Sequence, residues 1–308
     1  MPSSVSSTRS LFHTLENYYT LTKPGLVYGN AVAAAAGFFL AAHTYGYSFP
    51  LLILSLLGTI GIIAAGGVFN NYADRHLDSM MQRTQDRPLV QGTVRGTNAL
   101  LYGIFLALGG LFILFFYVNV LTAIVGLVAL LLYAGIYTPL KRTHTFAVYV
   151  GALAGAAPPV MGYFAVAGSL DIAALLLFFL LFTWQLPHFF SIALYHQEDY
   201  EKARVPLLPL RHSLRVTRFY INGYIILFAL VGIVFFMQGY AGQAYLFSLL
   251  ALSGLWYAVS IFGLKFLGLK KWARTLFFLS LLVLFGTAIS LVLNAQSPHL
   301  SSPAIQKH

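Results

Sequence analysis

The sequence predicts an all-α integral membrane protein, a bundle of about nine transmembrane helices. Three observations carry this expectation. Hydrophobic residues make up 59% of the 308-residue chain and charged residues only 8%. Mean hydropathy is +0.78. The apolar residues also fall into runs long enough to cross a bilayer as helices, which takes about 20 residues. Nine such segments are read at 24–43, 50–69, 98–117, 119–137, 146–165, 172–194, 218–238, 244–264 and 275–294.

The basic residues support this count. With the N-terminus inside, the inner segments hold 17 of the 18 Lys and Arg, and only Lys307 falls outside; such an excess is what the positive-inside rule requires. The net charge of +10 is thus explained by topology, and no nucleic-acid partner is expected. Cysteine is absent, which excludes disulfides, thiolate metal sites and cysteine nucleophiles. The first 23 residues lack the apolar core and cleavage site of a secretory signal. A single Arg9 together with Glu16 argues against a transit peptide, so a bacterial inner membrane is the expected location. The domain reading is a polar N-terminal segment at 1–17, one membrane domain at 18–295 and a polar tail at 296–308.

Charge is scarce and unevenly placed. Of eight acidic residues, six (Asp74, Asp78, Asp86, Glu198, Asp199 and Glu201) lie in two polar stretches, read as inside loops after the second and sixth segments. Carboxylates beside a low-dielectric region are costly unless solvated, paired or bound to cations. In the first stretch Asn70, Asp74 and Asp78 are four apart. On a helix that spacing keeps all three on one face, drifting by about 40° per step. In the second, Tyr195 and Asp199 are again one turn apart. The two stretches are expected to face each other across one cavity mouth.

Hard divalent cations take oxygen ligands, and Mg2+ typically binds one or two carboxylates together with substrate phosphates. Arginine's planar fork suits phosphate oxygens. Carboxylates and arginines at the mouth of an apolar cavity therefore fit a diphosphate leaving group carrying a lipid-like tail.

Asn70-x-x-x-Asp74-x-x-x-Asp78 followed by Arg83-Thr84-x-Asp86-Arg87-Pro88 resembles the first aspartate-rich motif of the UbiA superfamily of membrane prenyltransferases. Leu21-Thr22-Lys23-Pro24, Tyr137-Thr138-Pro139-Leu140-Lys141-Arg142-Thr143, Gly155-Ala156-Ala157-Pro158-Pro159 and Trp184-Gln185-Leu186-Pro187-His188 resemble the heme-directed members of that superfamily. The similarity covers about residues 18 to 295. It implies a UbiA-like bundle with a central cavity, in which Mg2+ holds farnesyl diphosphate against the two acidic stretches. The acceptor it implies is heme B, a substrate and not a resident cofactor. Its vinyl group takes the farnesyl chain and water completes the product, heme O. The lipid bilayer is the standing partner, and a heme-modifying enzyme or terminal oxidase assembly would receive the product.

Matched by position, the resemblance implies metal ligation by Asn70, Asp74, Asp78 and Asp199. It implies diphosphate contacts from Arg83, Arg87 and Lys23, and contacts to diphosphate or heme propionates from Lys141 and Arg142. Tyr195 stands where many members have an aspartate. His188 is the candidate for facing the heme, by ligating iron or orienting a vinyl group. His76 replaces an acidic residue of many relatives and is not expected to be an essential ligand. Gly151 and Gly155 have a small-x-x-x-small spacing for close helix contact, and Pro158-Pro159 are expected to disturb the helix that follows. The 19 Tyr and 26 Phe offer lining for a prenyl tunnel. Two other readings stand beside this one: prenyl transfer to a quinone precursor or other aromatic acceptor, and a cation-coupled transporter. Transporters usually place such charges near the bilayer midplane, whereas these lie in inside loops.

Overall fold

The computed structural model describes residues 4–297, with side chains from Phe12 onward. Helix α1 (Ser4–Leu21) contains most of the polar N-terminal segment and leads into α2 (Pro24–Tyr45), whose first-turn proline is pre-set for helix entry. Nine helical stretches among the described residues are long and apolar enough to cross a membrane, matching the nine predicted segments. Most of the polar tail from 296, with Lys307, lies outside the described residues.

Three boundaries differ from expectation, and each affects the site. Helix α3 runs from Phe49 to Asp78, so the first acidic stretch is helical through Asp78, with only Asp86 in the turns that follow, and is not a loop from residue 69. Polarity does not end a helix, because the backbone hydrogen bonds continue until a residue stops accepting them. The last span, α14 (Leu269–Leu293), begins before residue 275 and carries Lys270, Lys271 and Arg274 on its first turns. The fifth span is two helices, α7 (Ala147–Gly155) and α8 (Ala157–Ala167), meeting at Ala156. Pro158-Pro159 therefore open α8 and do not distort it, since first-turn N–H groups have no helical partner to lose.

Helix α4 (Gly96–Ile113) ends in a π-helical turn at Leu114–Val118. Helix α5 (Val120–Leu130) passes through another at Leu131–Tyr137 into α6 (Thr138–Leu140). Helix α9 (Ile172–Tyr195) is followed by two short helices, α10 (Gln197–Lys202) and α11 (Leu208–Arg211). Helices α12 (Leu214–Met237) and α13 (Gln243–Leu267) precede α14. Asp171, outside the two acidic stretches, caps α9 by accepting from Ala174 N–H and also takes the Tyr163 hydroxyl. Its role is structural.

Helix α2 packs on α8, α3 on α4, and α9 against both α12 and α14. Trp256, Trp272, Phe228 and Phe235 are fully enclosed between the helices, while Phe105, Phe219, Phe262 and Phe266 project outward as a lipid-facing surface should. Lipid tails are as apolar as leucine, so helix association rests on close packing. It is closest between α2 and α8: a Cβ on Gly162 would overlap the Ala34 carbonyl oxygen, and one on Gly37 would overlap that of Pro159. Gly162→Val is expected to force these backbones apart at a cost of about 1–3 kcal/mol or more, read as a lower unfolding temperature in detergent. Gly223→Ala, where a Cβ meets nothing within 4 Å, should leave that temperature unchanged.

Candidate active site

Beyond its apolar turns, α3 presents Asn70, Asp74 and Asp78 on one face, at 1%, 2% and 4% exposure. Burial of this kind demands compensation, and three separate segments provide it. Lys141 pairs with Asp74 Oδ2, and Arg142 Nη2 lies 3.3 Å from Asp74 Oδ1 and 2.5 Å from the Ala73 carbonyl oxygen. Arg87 Nη1 donates to Asp78 Oδ2 at 2.6 Å. Lys23 donates to Asn70 Oδ1. Thr138 Oγ1 accepts from Asn70 Nδ2 at 2.8 Å.

Local backbone features explain these placements. The π-helical turn after α5 leaves the Tyr133 carbonyl to accept from Thr138 Oγ1 at 2.8 Å; such insertions often mark functional sites. The same turn sets Thr138 beside Asn70 and, one residue past α6, Lys141 beside Asp74. Lys23 adopts a left-handed backbone at φ 57°, a cost borne where the surroundings hold it. Burial, and then the nearby Arg87 and Lys141, push the Lys23 ammonium well below the usual lysine range. Asp78 is further tied into the following turn by Thr84 Oγ1, which donates to its carbonyl at 2.9 Å.

The second acidic stretch docks on the first. Asp199 Oδ1 accepts from the Gln82 backbone N–H at 3.1 Å, and Met81, Ala203 and Val205 form a small apolar core joining the two connections. This is the opposed arrangement the sequence predicts. Tyr195 and Asp199 do not share one helix, because α9 ends at Tyr195 and α10 starts at Gln197. Tyr195 packs against His196 with the rings tilted at 53° and lies under the Arg274 guanidinium, whose centre is 5.9 Å from the ring centroid. Glu198 forms an exposed pair with Lys270 at 3.4 Å, and Glu201 accepts from Gln197. Asp86 and His76 are exposed at the surface.

A cavity of about 790 Å³ opens below these groups. Lys23, Arg83 and Arg87 lie at its charged end, while Tyr133, Trp184 and His188 line its interior. Gly155 faces Gln185 so closely that a Cβ would overlap Gln185 Oε1, and Gly151 faces the Tyr137 ring. The predicted small-residue contact is thus real. It also leaves room for a polar side chain between α7 and α9. Asn71, Thr138, Gln185 and Tyr200 were not singled out from sequence. Asn71 Oδ1 is buried without a partner among the described residues while its Nδ2 donates to the Leu21 carbonyl at 2.8 Å, and the residue lines the cavity. The Tyr200 phenol is pushed above its usual range by burial, against the opposing charge of Arg83. Asn71 adjoins the motif asparagine, and Thr138 and Gln185 lie inside motifs quoted from the sequence, though no role was assigned to them.

Among the described residues no three His, Asp or Glu side chains converge to hold a metal ion by themselves. The donors available are the Asp74 and Asp78 carboxylates and the Asn70 amide oxygen. An all-oxygen set this sparse fits a hard divalent cation that takes its remaining ligands from phosphate and water.

Comparison with known proteins gives a consistent result. Residues 30–282 match the model of the UbiA prenyltransferase family. The chain is 40% identical to protoheme IX farnesyltransferase of Protochlamydia amoebophila over 269 residues, covering 87% of this chain and 95% of that protein. It is 38% identical to the protein of the same name from Citrobacter koseri, covering 91% and 94%. Among solved structures, one of digeranylgeranylglyceryl phosphate synthase superposes with a TM-score of 0.76 at 16% identity, covering 92% of this chain and 98% of that one. A UbiA homolog from Archaeoglobus fulgidus bound to GPP and Mg2+ gives 0.61 at 18% identity, covering 90% and 99%. At these identities the structures establish the shared fold. The chain belongs to the UbiA prenyltransferase family, on the branch whose curated members carry the name protoheme IX farnesyltransferase.

Proposed function

We propose that this protein transfers the farnesyl group of farnesyl diphosphate to a vinyl group of heme B, with addition of water, giving heme O and diphosphate. The observation that carries the reading is the division of one cavity: Lys23, Arg83 and Arg87 at one end, with Arg87 paired to the buried Asp78, and an apolar, aromatic interior below. Likeness to protoheme IX farnesyltransferases over nearly the whole chain supports heme B as acceptor.

In this reading Asp74, Asp78 and Asn70, with Asp199 from the facing connection, hold Mg2+. That cation, when bound, neutralises charge on the diphosphate as it leaves. Arg83, Arg87, Lys23, Lys141 and Arg142 bind diphosphate oxygens. Because several of these already engage the carboxylates, substrate binding exchanges one anionic partner for another and leaves no buried charge alone. The C1–O bond of farnesyl diphosphate breaks with its electron pair passing to diphosphate, and the terminal carbon of the vinyl group bonds to C1. Water adds to the cation left beside the porphyrin ring and releases one proton. The chain contributes position, electrostatic stabilisation and exclusion of stray water.

The excess of Lys and Arg in the connections supports a reading in which the mouth and N-terminus face the cytoplasm across a bacterial inner membrane and the C-terminus lies outside. The product passes to a heme-modifying enzyme or terminal oxidase assembly. The charges gather at one end of the bundle, which does not favour a transporter's midplane site.

Mass spectrometry of heme after incubation with heme B, farnesyl diphosphate and Mg2+ is expected to show heme O, abolished by EDTA. Farnesyl diphosphate consumption with unchanged heme would redirect the acceptor to quinone precursors or other aromatics. Asp74→Asn should lower turnover by about 10²-fold or more, the scale of losing one preorganised electrostatic contact, with membrane insertion retained. Arg87→Lys should keep the charge but lose the guanidinium fork. Its KM for farnesyl diphosphate is expected to rise roughly tenfold, as loss of about one charged hydrogen bond implies.

A further inference from the structure

On the wall of the cavity, α9 and α14 meet through one serine. Trp184 Nε1 donates to the Ser280 carbonyl oxygen at 2.7 Å. One turn later, His188 Nδ1 lies 2.7 Å from Ser280 Oγ. Ser280 Oγ is also 2.5 Å from the Phe277 carbonyl oxygen, which can only accept. A hydroxyl has one proton. Donated to Phe277, it leaves the serine oxygen to accept from His188, so Nδ1 carries the ring proton and Nε2 the lone pair.

The ring has little freedom left. Trp184 stacks on it at 4.7 Å and 23°, and Phe277 flanks it at 5.1 Å and 32°. Ser280 is completely buried. Nε2 takes no hydrogen bond among the described residues, and His188 lines the cavity. A histidine whose second ring nitrogen donates to a fixed acceptor is the usual form of a metal-ligating imidazole.

We propose that Ser280 is a positioning residue whose hydroxyl presents His188 Nε2 as an axial ligand to the iron of the porphyrin acceptor. The inference rests on heme B being that acceptor. Coordination uses the lone pair that the hydrogen bond to Ser280 leaves on Nε2.

Titration of the purified protein with ferric heme B, followed by absorption spectroscopy, tests this. The wild type should give the Soret band of imidazole-ligated heme. His188→Ala should lose that band and regain it with added imidazole. Ser280→Ala should bind ferric heme about tenfold or more weakly, the usual effect of removing such an outer partner, and Ser280→Thr should restore the affinity. Iron-free protoporphyrin IX should bind all four proteins equally. Ser280→Ala with wild-type affinity for ferric heme, His188→Ala with the imidazole band intact, or a Ser280→Ala that loses protoporphyrin affinity equally would each overturn the proposal. Heme prenylation, read separately by mass spectrometry, distinguishes failure of this inference from failure of the proposed reaction.

Discussion

Two carboxylates buried at the end of α3 set the terms for everything around them. Asp74 and Asp78 cannot remain charged in a low-dielectric wall without partners, since desolvation costs several kcal/mol per ion even after relaxation. Lys141 and Arg142 come from beyond the fourth span and Arg87 from the turn after α3. Lys23 at the entry to the first span reaches the same face through Asn70. Removing Arg87 would strand Asp78, and Asp74 keeps a partner only while Lys141 or Arg142 remains. The convergence of these connections at one end of the bundle is therefore an electrostatic requirement as much as a packing result.

The same compensation prepares the site for a substrate. The cations around Asp74 and Asp78 are held in place before any ligand arrives, so their side chains have already lost most of the freedom that binding would otherwise remove. Under the proposed function, a divalent cation and a diphosphate together would offer the carboxylates and the basic groups new partners of opposite charge. Small irregularities in the helices make the space for this exchange. The π-helical turn before Thr138 aims α6 at α3. The break at Ala156 separates α7, which faces Gln185 across Gly155, from α8, which packs tightly on α2 through Gly162.

Much of the site was legible because its chemistry is rare in such an apolar chain. Asn70, Asp74 and Asp78 stand out by spacing, and Lys141, Arg142, Arg83 and Arg87 by their place in the basic connections. The structure brings Asn70, Asp74, Asp78, Lys23, Arg87, Lys141 and Arg142 into direct contacts, with Asp199 docked beside them. Thr138 and Gln185 lay inside recognised motifs with no role assigned to them, and Ser280 was silent, a small polar residue inside an apolar run distinguished only by what a distant helix places opposite it. Tyr195 reads as part of the acidic motif by number, yet its contacts are His196 and Arg274, because the helix stops between Tyr195 and Asp199.

By itself the sequence determined the membrane class, the nine spans and the face of α3 that carries Asn70, Asp74 and Asp78. These depend on composition and on periodicities local to one segment, and transfer of each helix into lipid is decided segment by segment. Tertiary structure alone decided how far α3 and α14 run past their apolar cores, which cation answers which carboxylate, and which nitrogen of His188 faces the cavity. Those outcomes depend on hydrogen-bond and charge partners up to 92 residues away in the chain, as between His188 and Ser280. Only the packed bundle brings such groups within reach.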